Sequence, residues 1–149
     1  RTMVSDIYED MFVTMIYMVL DLQSRELSIA RAGHDPPLVL PPGENQVIRE
    51  FSGGLAIGLV DADTFDATIE STRVQLEPGT WVLAYTDGIT EAMNLDGEEW
   101  GVNLLTRAYI SGRTLNARQM CANIQERVLR FTGEAPQYDD MTLLALKVE

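Results

Sequence analysis

The sequence predicts an α+β fold with a mainly antiparallel sheet. Three observations lead there. Short strand-like apolar runs crowd the first half, two or three helical patterns follow, and one last apolar run closes the chain. That closing run needs cover, so it is expected to insert back into the sheet. A chain of 149 residues fits one domain. At that size it buries roughly 70% of its unfolded-chain surface.

Residues 11–20, MFVTMIYMVL, are apolar on both alternating sets: Phe12, Ile16, Met18 and Leu20 against Val13, Met15, Tyr17 and Val19. The β-branched and aromatic content favours a central strand covered on both faces over a helix. Asp21-Leu22-Gln23-Ser24 supplies a turn, and Glu26 to Ala32 returns as the second strand of a hairpin. Gly33-His34-Asp35-Pro36-Pro37 breaks it. Leu38-Val39-Leu40 is a short strand, Pro41 to Asn45 turns, and Gln46 to Phe51 returns. The Gly-punctuated stretch Ser52 to Leu59 reads as irregular. Phe65, Ala67 and Ile69 alternate with polar residues, as a half-buried strand does. The phase shift before Val74 and Leu76 places a bulge or bend near Ser71 to Arg73. Glu77-Pro78-Gly79-Thr80 leads into a buried strand over 81–86. Ile89 to Met93 is a short helical stretch, and Val102 to Ile110 carries Leu104, Leu105 and Ala108 at helical spacing. The clearest helix runs from Ala117 to Phe131. Asn116 caps it, Gln119 completes a capping box, and Cys121, Ile124, Val128 and Phe131 form its apolar stripe. Gly133 stops it, and Met141 to Val148 is the last strand.

Charge narrows the function classes. Twenty-three acidic residues stand against 11 basic ones, a net charge of −12. Nonspecific nucleic-acid binding needs cations to neutralise phosphates, so it is disfavoured. The acidity is compatible with divalent cations, and it is also an ordinary device for solubility. Cys121 is the sole cysteine, so no intrachain disulfide forms; its place on the apolar side of a helix predicts a buried thiol. No apolar run reaches the roughly 18–20 residues of a membrane span, and no secretory leader is seen. A cytoplasmic location is therefore expected. The chain opens on Arg1 in mid-pattern, which reads as a piece of a longer protein.

Two acidic positions stand at strand ends. Asp87-Gly88 follows a buried strand, and Asp139-Asp140 precedes another. If the two strands are antiparallel neighbours, the carboxylates share a rim. Crowded carboxylates repel one another, and a divalent cation relieves that repulsion. Hard oxygen donors suit Mg²⁺ or Mn²⁺ better than zinc. Gly88 lets the backbone approach closely, with no Cβ in the way. The plain alternative is that Asp-Gly is a common turn dipeptide and Asp-Asp a common edge-charge device.

With their flanks the two motifs say more. Thr86-Asp87-Gly88-Ile89-Thr90-Glu91 and Asp139-Asp140-Met141-Thr142 resemble the two C-terminal metal motifs of the metal-dependent (protein phosphatase 2C-like) protein phosphatases. Within that superfamily the closest resemblance is to the bacterial SpoIIE/RsbU-like serine phosphatase branch. Met11-Phe12-Val13-Thr14, Ala32 to Pro37, Gly53 to Gly58, Pro78-Gly79-Thr80 and Trp100-Gly101 fall in the order and rough spacing of that branch. The resemblance covers essentially the whole chain. It implies a two-layer antiparallel β-sandwich flanked by helices and incomplete at the N-terminus. Residues 1–149 would then be the C-terminal portion of a single phosphatase domain. It implies hydrolysis of phosphoserine or phosphothreonine on a regulatory protein, with two Mn²⁺ or Mg²⁺ ions in the complete domain. By motif position Asp87 and Asp139 are catalytic metal ligands. Asp140 belongs to the same metal site and orients Asp139 or a bound water. Gly88 and Glu91 stand behind the ligands, His34 is structural, and no covalent nucleophile is expected. In this branch the substrate is a phosphorylated anti-sigma-factor antagonist, and a sensor or receiver domain in the parent chain regulates the enzyme.

The same family carries an upstream Asp followed shortly by Gly-His-Gly. No Gly-His-Gly occurs here, and Asp6 and Asp10 lack the glycines, so they do not substitute. The expectation is a fragment that is inactive or weakly active, from a parent that is a phosphatase. The alternative is a pseudo-phosphatase that binds a phosphoprotein without hydrolysing it. A third reading is an acidic α+β domain whose carboxylates are solvated turns. Strands missing from a sandwich leave apolar surface and sheet edges open, so self-association of the fragment is also expected.

Overall fold

A computed structural model describes residues 11–149; Asp6 and Asp10 lie outside them. Along the chain run β1 (Met15–Leu20), β2 (Glu26–Ala32), β3 (Leu38–Leu40), α1 (Ala62–Thr68), β4 (Ser71–Gln75), β5 (Trp81–Tyr85), α2 (Asp87–Thr90), α3 (Gly101–Ser111), α4 (Ala117–Thr132) and β6 (Leu143–Lys147). The fold is α+β with two antiparallel sheets, as the run of strands followed by helices predicts. No described helix is long and apolar enough to cross a membrane. The chain forms two compact units. One comprises the residues up to Pro36 with Glu50–Leu76; the other comprises Pro37–Arg49 with Glu77–Glu149.

The first unit holds an antiparallel sheet of order β1-β2-β4. Met15 faces Ala32 and Leu20 faces Leu27 across the hairpin, and Leu27 faces Val74 on the other side. The predicted turn forms around Asp21, whose Oδ1 accepts from the amides of Gln23 (2.8 Å) and Ser24 (2.9 Å). The Ser24 amide bond, first, and then that of Gln23 hold the Asp21 carboxyl below its ordinary pKa. The irregular stretch after Phe51 is fixed by close backbone approach. Gly33 has φ +69°, and a Cβ there would lie 2.7 Å from the Cβ of Ala56. The Arg31 guanidinium donates to the carbonyls of His34 (2.5 Å), Phe51 (2.8 Å) and Ser52 (3.3 Å), tying the turn to this stretch.

Three expectations fail in this unit. The first strand is not covered on both faces. Among the described residues β1 lies at the sheet edge, with Tyr17 62% and Val19 48% exposed, while β2 takes the centre and buries Leu27 and Ile29. Alternation shows that two faces are apolar; it does not show that anything packs on them. The second failure is the strand read over Phe65, Ala67 and Ile69, which is the helix α1 ended at Ile69. Asp61 decides it. Its Oδ1 accepts from the amides of Asp63 (3.1 Å) and Thr64 (3.0 Å), and its Oδ2 accepts from the Thr64 hydroxyl (2.9 Å). Satisfied first-turn amides outweigh three alternating apolar residues. The bend expected near Ser71 to Arg73 is also absent: β4 pairs there in register, Ser71 with Ala30 and Arg73 with Ser28.

The second unit holds an antiparallel sheet of order β3-β5-β6 with α3 and α4. All five residues of β5 are buried. Trp81, Leu83 and Tyr85 pack in one cluster with Leu105 and Tyr109 of α3 and with Met120, Ile124 and Val128 of α4. The Trp81 and Tyr109 rings meet edge to face, centroids 6.5 Å apart at 82°. The Tyr109 hydroxyl donates to the Leu38 carbonyl at 3.2 Å, and burial pushes its pKa above the ordinary range. Lys147, the only lysine in the chain, places its Nζ 5.3 Å from the indole ring centroid. The predicted capping box is present: Asn116 Oδ1 accepts from the Gln119 amide (2.9 Å), and Gln119 Oε1 accepts from the Asn116 amide (3.0 Å).

Smaller corrections follow from packing. Cys121 is only partly buried, because Met120, Ile124 and Val128 hold the buried line and Cys121 sits about 100° round the helix from Met120. Gln46 to Phe51 does not return as a strand; only Ile48 bridges Val39, through two backbone bonds of 3.0 and 2.7 Å. The short helix begins at Asp87, two residues earlier than its apolar residues suggest.

Replacing Tyr109 with Phe leaves the buried Leu38 carbonyl without that donor. The expected loss is about 1–3 kcal/mol in urea denaturation. The Asp61 cap is sensitive to acid. Its carboxyl is held below the ordinary 3.8, chiefly by the Thr64 amide, so its contribution is complete above that value and disappears as pH falls through the depressed one. The Thr64 amide resonance should report this loss, and Asp61→Ala should abolish the titration.

Candidate metal centre

The centre is built from the ends of two paired strands. β5 and β6 run antiparallel, with Trp81 opposite Lys147 and Tyr85 opposite Leu143. The C-end of β5 therefore lies beside the N-start of β6, as the sequence reading required. Thr86 closes the pair. Its amide donates to the Thr142 carbonyl (3.1 Å), and its hydroxyl accepts from the Thr142 amide (2.9 Å) while donating to the Asp140 carbonyl (2.9 Å).

Gly88 sets how close the two segments come. It is buried in α2, and a Cβ built on it would stand 2.6 Å from the Asp140 carbonyl oxygen and 3.3 Å from the Asp139 carbonyl carbon. No side chain fits there, so the main chain of Asp139 and Asp140 lies directly against α2. Ile89, 1% exposed, anchors the helix in the core, and the Glu91 amide donates to the Asp87 carbonyl at 2.8 Å.

Asp87, Asp139 and Asp140 are all exposed on this rim. Asp87 Oδ1 accepts from the Gly88 amide (3.0 Å), and Asp139 Oδ1 accepts from the Asp140 amide (2.7 Å). Each bond orients its carboxylate, and among the described residues neither Oδ2 accepts another. The donor set is hard oxygen, suited to Mg²⁺ or Mn²⁺ with water completing the shell. Among the described residues no group of three such side chains gathers, so the rim offers open carboxylates and not a closed cage. Gly88 and Asp139 also form part of a neighbouring cleft of about 160 Å³, which Glu91 lines as well. His34 belongs to the other unit, where its Nδ1 lies 3.5 Å from the Thr14 hydroxyl.

The sequence reading brought Asp87, Gly88, Asp139 and Asp140 to one place and missed the residue that locks them there. Thr86 was read only as part of a motif. Its signal was a threonine at each strand end, Thr86 and Thr142, but the two face each other only once the register is known.

Comparison with known proteins bears on the family and the fold. Residues 1–149 match the family described as Stage II sporulation protein E (SpoIIE). The chain is 31% identical over 136 residues to Protein IcfG of Synechocystis sp., an overlap of 91% of this chain and 20% of IcfG. It is 25% identical over 149 residues to phosphoserine phosphatase RsbU of Bacillus subtilis, covering 99% of this chain and 42% of RsbU. The SiaA-PP2C domain of Pseudomonas aeruginosa shares the fold at a TM-score of 0.81 and 21% identity, over 100% of this chain and 56% of that one. The Mn-presoaked phosphatase domain of SpoIIE from Bacillus subtilis does so at 0.68 and 20% identity, over 91% and 56%. The chain thus spans less than half the length of both relatives and little more than half of both solved chains. A family match over every residue, on a fold shared with protein phosphatase 2C-type domains, leads to one conclusion: the chain belongs to the SpoIIE family.

Proposed function

We propose that these residues supply one ligand pair of a metal-dependent serine/threonine protein phosphatase, as the C-terminal portion of a single domain. The observation that carries this is the lock of Thr86 on Asp140 across Gly88, which holds two carboxylate-bearing segments at one rim. Asp87 and Asp139 would hold Mn²⁺ or Mg²⁺, and Asp140 would orient Asp139 or a water on the same ion. When bound, the cation supplies the positive charge that a phosphate ester needs at this rim and acidifies attacking water. The chain's own contribution is position. Gly88 keeps the segments close, Ile89 fixes α2, and the Gly88 and Asp140 amides aim the two carboxylates. Without a cation, a net charge of −12 repels phosphate.

The relative RsbU is a phosphoserine phosphatase, which supports phosphoserine or phosphothreonine on a protein as the substrate class. The finer reading is a cytoplasmic parent enzyme that acts on an anti-sigma-factor antagonist, binds two ions in its complete domain and answers to an attached sensor or receiver domain. One ligand pair makes a weak site, so the 149 residues alone are inactive or weakly active; the edge strand β1, unpaired on its outer side among the described residues, supports self-association.

Calorimetric titration with Mn²⁺ tests the site. Asp87→Asn and Asp139→Asn should each weaken binding at least tenfold; affinities equal to the unaltered chain would end the metal reading. Gly88→Ala forces its Cβ against the Asp140 carbonyl. It should cost about 1–3 kcal/mol of stability in urea, as overpacking does, and weaken Mn²⁺ binding as well.

A further inference from the structure

The cleft beside the carboxylate rim has a composition that metal binding does not explain. Ala92, Met93, Leu129 and Met141 give it an apolar wall, while Gly88 and Asp139 belong to both the cleft and the rim. Its volume of about 160 Å³ is the scale of an apolar cavity that accepts a benzene-sized molecule. That is room for one leucine or methionine side chain. Two of its residues are large, apolar in body and conspicuously open: Leu129 is 54% exposed and Tyr138 is 77% exposed.

The wall is firm enough to select. Leu129 sits in the last turns of α4, whose opposite face is sealed in the core through Ile124 and Val128. Met141 packs against the same core. The segment carrying Tyr138 follows the Ala135 amide bond to the Thr132 carbonyl (3.0 Å), and Gln137 Nε2 donates across Tyr138 to the Asp139 carbonyl (2.7 Å). Exposed apolar side chains held in place around a recess mark a binding surface more often than a solvated one.

We propose that this cleft is a specificity pocket for an apolar side chain, leucine or methionine, lying within a few residues of the phosphoserine in the substrate protein. The inference rests on the phosphatase reading, because continuity with the carboxylate rim is what assigns the occupant. A phosphoryl group held through a cation at Asp87 and Asp139 leaves its neighbouring residues beside the cleft that Tyr138 and Asp139 line. A side chain entering the cleft there removes the exposed faces of Leu129 and Tyr138 from water. The phosphoryl group then reports the modification, and the cleft reports which protein carries it.

The test uses the 149-residue chain with its methionine methyl groups isotopically labelled, in millimolar Mn²⁺. The probes are phosphoserine peptides carrying a single leucine at successive positions on either side of the phosphoserine, against all-alanine controls. In one register the leucine peptide should bind at least tenfold tighter than its control and shift the Met93 and Met141 methyl signals. Met120, sealed in the core, should stay still. Leu129→Ser should remove the leucine advantage, leave the control peptide's affinity unchanged and leave Mn²⁺ affinity unchanged. Leucine in no register being favoured would overturn the pocket, as would equal binding of the unphosphorylated leucine peptide. The two readings separate cleanly. Mn²⁺ binding that persists without a leucine preference sinks the pocket alone, while Mn²⁺ binding indifferent to Asp87→Asn sinks the reading beneath it.

Discussion

One pairing organises the candidate metal centre: Thr86, the residue that follows β5, joined to the segment entering β6. Sheet hydrogen bonding brings the strands side by side, but a ladder alone ends loosely, with carbonyls and amides left to water. Thr86 finishes it. A single hydroxyl both accepts from one backbone amide and donates to a backbone carbonyl two residues earlier in the chain, so the ladder continues through a side chain where it would otherwise fray. The acidic residues on either side inherit their positions from that closure.

The pairing stands on an unusually dry strand. β5 buries every side chain, and its Trp81 has three partners: the Tyr109 ring, the Arg113 carbonyl that accepts from Nε1 at 3.2 Å, and the Lys147 ammonium. α3 and α4 pack on the same cluster through Leu105, Ile124 and Val128. A strand fixed so firmly at its start presents its end with little freedom, and a metal site needs that rigidity more than it needs many contacts.

Legibility in the sequence followed the strength of local signals. β2, β3, β5 and α4 were readable because short apolar runs were bounded by turn residues, or because Asn116 and Gln119 wrote a capping box. The rim was readable because Asp-Gly and Asp-Asp flanked two such runs. α1 was not, since its stability lies in Asp61, outside the alternating residues that suggested a strand, and no residue of it is buried. β1 was misplaced for a different reason. Its residues are as apolar as those of a central strand, and whether a neighbour covers them is a property of topology that no pattern within the strand records. The lock at Thr86 and the cleft over Leu129 share that limit, because each joins segments some 40 or more residues apart.

The carboxylates at the rim carry almost none of the architecture. Among the described residues the carboxylates of Asp87 and Asp139 each accept only from the amide of the next residue, while threonine, glycine and main chain hold the segments together. Reactivity and foldability are therefore encoded by different letters of the same short words. If the rim holds a cation as proposed, one altered codon at Asp87 or Asp139 would remove that role and leave the fold intact, so descendants that keep the architecture without the metal are a single evolutionary step away.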